Sequence, residues 1–132
     1  MIYLASRYER KDEMHEKANI LKNLGFKVCS KWHSIPPDFE NAATIDINEC
    51  DIIIMFTEDR QNLPKENSGG RHFELGYAWH KWLTLGTPKV YIIGTIENAF
   101  HLLPGIRQFS SWEDFLTHME KTDENSGIRP SS

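Results

Sequence analysis

The chain has 132 residues, 39% of them apolar, with four Trp, four Tyr and seven Phe; that supplies one buried core and leaves too little sequence for two. Its 15 basic and 19 acidic residues give a formal net charge of -4, which argues against polymeric nucleic acid as a partner but not against a small anion held by one Arg and a few amides. Cys29 and Cys50 lie in separate apolar stretches outside any Cys/His cluster, so both are expected to be reduced packing residues, with no disulfide framework, metal site or cofactor indicated.

Met1 runs directly into Ile2-Tyr3-Leu4-Ala5, which reads as a buried strand, and no apolar run approaches membrane-spanning length. A cytoplasmic protein without membrane contact is therefore expected. Glu9 to Leu24 carries Met14, Ala18, Leu21 and Leu24 at helical spacing and stops at Gly25. Phe26 to Trp32 alternates as a second strand, after which Ser34, Pro36 and Pro37 turn the chain into a helix ending near Cys50. Asp51-Ile52-Ile53-Ile54-Met55-Phe56-Thr57 is apolar on both faces and belongs at the centre of a parallel sheet. A polar stretch from Glu58 to Ser68 leads to Gly69-Gly70, where a helix opens and runs to about Leu85. Pro88 to Gly94 and Arg107 to Phe109 read as two further strands, and Ser110 with Glu113 as the capping box of a last helix.

The order β-α-β-α-β-α-β-loop-β-α predicts an α/β fold: one doubly wound, five-stranded parallel sheet in flavodoxin-like order over residues 1–120, with 121–132 as a disordered tail. Ligands of such sheets bind beyond the carboxyl ends of the strands. This brings Ser6 to Tyr8, Thr57 to Glu58, the Gly69-Gly70 turn and Gly94 to Asn98 around one crevice.

Two glycines at a helix start let a ligand approach the free amides of the first turn, where the helix dipole favours anions. Ser68 adds a hydroxyl, Arg71 a guanidinium and Glu74 a carboxylate; on spacing alone the same residues also fit an ordinary loop-to-helix junction with a capping Ser. Phe73, Leu75, Tyr77 and Ala78 surround Glu74 with apolar groups, a setting that suits a carboxylate nucleophile attacking a cationic centre such as a sugar's anomeric carbon. Trp32 and His33 are candidates to contact a base, or else core residues.

The opening Ile2-Tyr3-Leu4-Ala5-Ser6-Arg7-Tyr8, the run Cys50-Asp51-Ile52-Ile53 and the stretch Gly69-Gly70-Arg71-His72-Phe73-Glu74-Leu75-Gly76-Tyr77-Ala78 together resemble the nucleoside 2-deoxyribosyltransferase family over Met1 to about Met119. The resemblance implies a Rossmann-like sheet and Glu74 as a nucleophile that forms a covalent glycosyl intermediate, with Tyr3 close to it. Transferases of the family carry Asp six residues before the nucleophile; Ser68 stands here, as in the nucleoside 5′-monophosphate hydrolases, where it binds the phosphate. By the same resemblance Ser6, Arg7, Tyr8, Ser68, Gly69, Gly70 and Arg71 are expected to hold the substrate. A base-contacting Asp of the family is replaced by Ala43, with Asp46 one turn further along or Glu58 as substitutes, while Asp51 anchors the strand. The family also completes each site from a neighbouring subunit, which implies a homodimer or higher homo-oligomer and singles out Asn98 and His101. The expected activity is cleavage of the N-glycosidic bond of a small-molecule nucleoside or nucleoside 5′-monophosphate. Base exchange by a deoxyribosyltransferase and a non-catalytic nucleotide-binding module are the alternatives, the latter prompted by Ala43.

Overall fold

The computed structural model describes residues 1–33, 47–58, 70–97 and 99–126, with the backbone alone at 8, 70 and 122–126. Strands β1 (Ile2–Ala5), β2 (Ile52–Phe56), β3 (Lys89–Ile93) and β4 (Ile106–Phe109) form one sheet in the order β1-β2-β3-β4, parallel throughout. Every residue of β1 and β2 is buried, as strands apolar on both faces must be when helices cover the sheet twice. Among the described residues three helices cover it: α1 (Lys11–Asn23), α2 (Gly70–Leu85) and α3 (Trp112–Ser126).

The period-two alternation of the strands divides the core. Ile2, Leu4, Ile52, Ile54 and Phe56 face Met14, Ala18 and Leu21 of α1 and Phe115 and Met119 of α3. Tyr3, Ala5, Ile53 and Met55 face Leu75 and Ala78 of α2, together with Ile47 of a helical turn at 47–49. The two cysteines are buried in that second layer and form no disulfide.

Among the described residues the sheet has four strands, not the expected five, and the difference lies at the β1 edge. Phe26 to Trp32 makes a single parallel bridge, Ile2 to Val28, in which the Ile2 N–H donates to the Lys27 carbonyl at 2.8 Å and the Cys29 N–H to the Ile2 carbonyl at 2.9 Å. One pleat further, side chains replace the ladder: the Leu4 N–H donates to Ser30 Oγ at 3.2 Å, and Trp32 Nε1 donates to the Leu4 carbonyl at 2.7 Å. Backbone groups of β1 that a fifth strand would pair are thus satisfied by a hydroxyl and an indole, so the alternation in the sequence does not become a strand. The segment nevertheless lies on the side of β1 away from β2, where flavodoxin-like order puts its second strand.

The last helix is capped one residue later than expected. Ser111 Oγ accepts the Asp114 N–H at 3.1 Å, which makes Ser111 rather than Ser110 the capping residue. α3 also continues to Ser126, into the stretch expected as a tail. The turn after Ser34 and the polar stretch 59–69 lie outside the described residues, as does 127–132. No helix among the described residues is long and apolar enough to cross a membrane.

Candidate functional site

The carboxyl ends of the strands deliver short polar segments to one rim of the sheet: Ser6 and Arg7 after β1, Thr57 and Glu58 after β2, and Gly94 to Glu97 after β3. The exits of β2 and β3 are fastened together. Thr57 N–H donates to the Ile93 carbonyl at 3.0 Å, and Thr95 Oγ1 donates to the Glu58 carbonyl at 2.9 Å. Gly94 has φ +118°, and a Cβ there would lie 2.3 Å from Thr57 Oγ1; a glycine is needed for the two exits to run this close. The Gly94 carbonyl accepts from Gln108 Nε2 of β4.

α2 begins at Gly70 and packs against β1, β2 and β3, so Glu74 and Tyr3 stand on elements in direct contact. Tyr3 is 1% exposed on the α2 face of the sheet. Glu74 is half-buried, with Oε2 shielded from solvent. Its apolar surroundings are narrower than the sequence suggests: Leu75 and Ala78 are buried, but Phe73 points outward at 66% exposure, and the half-buried Tyr77 donates its hydroxyl to Asn48 Oδ1 at 2.8 Å.

Arg71 is 3% exposed and forms a bidentate pair with Glu97: Nη2 donates to Oε1 at 2.8 Å and Nη1 donates to Oε2. Glu97 Oε2 also accepts the Glu58 N–H at 3.3 Å. Burial alone would raise the Glu97 carboxyl, but the hydrogen bonds and charge of Arg71, with the Glu58 amide, overcome it and hold the group below the usual carboxylate range. The guanidinium expected to hold a phosphate is therefore turned to a protein carboxylate.

His101 is likewise inside its own subunit, at 2% exposure, rather than reaching toward a neighbour. Its Nδ1 accepts the Glu97 N–H at 3.2 Å, which leaves the ring proton on Nε2. Burial, opposed by Glu97 and reinforced by His72 and Arg71, pushes this ring below its ordinary value. It stacks on His72 with centroids 5.6 Å apart.

A second charged cluster, with no signal in the sequence, forms around Arg10. Its Nε and Nη2 donate to Glu13 at 2.9 and 2.6 Å, while Nη1 donates to the Thr57 carbonyl at 3.2 Å and to Glu58 Oε1 at 3.3 Å. The hydrogen bond from Arg10, against the opposing effect of burial, takes the Glu13 carboxyl down to about 2. Arg10 reads in the sequence as one more charge at a helix start; only the fold brings it under the β2 exit.

Of the remaining expected site residues, Arg7 stays part-exposed, with Nε 3.5 Å from Glu9, and the buried Ser6 hydroxyl donates to the Arg7 carbonyl at 2.9 Å. Tyr8 opens a 3-10 turn, Tyr8–Arg10. Trp32 is tied by its indole to β1 and packs on the core, and His33 is buried with Nε2 2.8 Å from Ser30 Oγ. Asp46, Ser68, Gly69 and Asn98 lie outside the described residues, and Gly70 is described in its backbone alone.

A cavity of about 540 Å³ lies between α2 and the segment 99–106, walled by Leu75, Trp79, Phe100, Leu103 and Ile106 with His72 and His101. It is apolar, and Glu74 does not line it. Its polar groups are the two stacked rings of His72 and His101.

The fold and the rim define an α/β protein with a parallel sheet, helices on both faces and paired charged residues at the strands' carboxyl ends. No protein-family model, curated protein or solved structure matches the chain.

Proposed function

We propose that the protein is an N-glycosidase acting on nucleoside 5′-monophosphates, with Glu74 as nucleophile. The observation that carries the reading is Glu74's position on α2, four residues after the helix begins and beside the strand ends where sheets of this kind bind ligands. A Glu74 oxygen bonds to C1′ as the C–N bond breaks, and the electron pair leaves on the base nitrogen, which takes up a proton. Water then adds at C1′, loses a proton, and frees the sugar phosphate and the carboxylate. Asp46 is proposed as the proton donor, because the alternative, Glu58, already receives Arg10. Tyr3, on the strand beneath α2, is proposed to border the nucleophile.

For the phosphate, the part-exposed Arg7, the first amides of α2 and Ser68 form the proposed holding group, a set that suits a dianion. Arg71 is left out of it because its guanidinium is engaged with Glu97. A homodimer is proposed as the working form: Phe100 and Leu102 are 72% and 71% exposed beside the apolar cavity, a patch that a second copy would cover. Two buried cysteines outside any disulfide suit a cytoplasmic setting.

Chromatography of base release from nucleosides and their 5′-monophosphates, with and without an acceptor base, tests the reading. Equal yields of base and sugar phosphate, from monophosphates in preference to nucleosides, are expected. Base exchange without net hydrolysis would assign a transferase instead, and binding without any turnover a nucleotide-binding module.

A further inference from the structure

The contacts of Glu97 converge on one place. Both its oxygens grip Arg71, and Oε2 also takes the Glu58 N–H at the exit of β2. Its own N–H fixes His101, whose ring stacks on His72. Adjacent residues of the first turn of α2 are thus clasped by one short segment after β3. The ion pair is nearly sealed, with side-chain exposures of 2% and 5%. A sealed pair of this kind adds little net stability over an apolar contact of the same size, whereas its fork geometry fixes orientation. Leu75 and Ala78 anchor α2 by apolar, non-directional contact, and its other directional contacts, Tyr77 and Lys81 to Asn48 and Trp79 to the Pro104 carbonyl, lie beyond the first turn and are exposed hydrogen bonds.

Glu74 follows Arg71 by three residues and shares its face of the helix. A rotation of α2 by roughly 20° would carry a carboxylate roughly 6 Å from the axis through about 2 Å. Misplacement by about 1 Å is enough to cost on the order of 10²-fold in rate.

We propose that Glu97 is a positioning residue for Glu74: through the bidentate pair with Arg71 it locks the rotation of α2 against the exits of β2 and β3. Its catalytic consequence rests on the proposed N-glycosidase activity; its mechanical consequence does not.

The test compares wild type, Glu97→Gln and the double variant Arg71→Gln/Glu97→Gln. The single variant strands a buried guanidinium, so its melting temperature falls; the double variant removes both charges and recovers most of that loss. Positioning predicts kcat reduced on the order of 10- to 100-fold in both variants with KM within about threefold of wild type, so that the rate does not follow stability. Recovery of kcat together with melting temperature in the double variant, or kcat within about twofold of wild type in the single one, would overturn the proposal. Hydrogen exchange of the amides at 74–78, which are bonded within the helix, measured well below the melting temperature, should quicken in both variants; unchanged exchange also overturns it. If wild type shows no N-glycosidase activity, the proposed function fails by itself, and the exchange measurement still decides the locking role.

Discussion

Gly94→Ala tests the close approach that holds the rim together. At φ +118° the new side chain would have its Cβ 2.3 Å from Thr57 Oγ1 and 3.4 Å from the Thr57 carbonyl. A residue other than glycine in that backbone region costs about 1–3 kcal/mol. Turning the Thr57 hydroxyl aside forfeits its 3.4 Å contact with the Ile93 carbonyl, and together with the rotamer change adds about 1 kcal/mol. The total of about 2–4 kcal/mol corresponds to a fall in melting temperature on the order of 10 °C for a domain of this size. Urea denaturation at 25 °C measures it directly. The same substitution made in a Thr57→Ala background should cost about 1 kcal/mol less, because the hydroxyl clash is gone while the backbone strain remains. A Gly94→Ala protein within about 0.5 kcal/mol of wild type would refute the conformational argument, and equal costs in both backgrounds would refute the clash.

Two further outcomes follow from other parts of the molecule. His33 is buried against Ser30, and burial, then the charges of His15 and Lys22, lower its pKa from 6.5 to about 4; its contribution to stability is therefore complete above about pH 6.5 and declines as pH falls toward 4, where the folded state also takes the proton. Urea titrations from pH 7.5 to 4 should show this decline, and His33→Gln should flatten it; an unchanged slope contradicts the assignment. If Phe100 anchors a homodimer, sedimentation will show a dimer that Phe100→Asp converts to monomer, and a wild-type monomer at micromolar concentration removes that interface.

The central strand and α2 were legible because each rests on a local pattern. Ile52 to Phe56 is apolar without interruption, and a Gly pair precedes the helical spacing that ends at Leu85. The fifth strand misled because Phe26 to Trp32 has the right alternation, while Ser30 and Trp32 spend their side chains on Leu4 and end the ladder after one bridge. A one-residue difference at the last helix, Ser111 for Ser110, is of the kind that neighbouring identical residues cannot resolve. The rim was harder to read. Arg71 stood out by its place after two glycines, but its partner lies 26 residues away, and no local spacing links Arg71 to Glu97 or Arg10 to Glu58. His101 reads in the sequence as a candidate to reach outward, whereas the Glu97 N–H, four residues earlier, holds the ring inside.

The proposed covalent intermediate on Glu74 is open to direct test. Intact-mass spectrometry of protein quenched during turnover of a nucleoside 5′-monophosphate should show a fraction heavier by one sugar-phosphate unit, mapping to the peptide that carries Glu74. Glu74→Gln should show neither the adduct nor turnover, with the rate down by on the order of 10³ or more. Turnover that survives in Glu74→Gln, or an adduct on any other residue, would contradict the account.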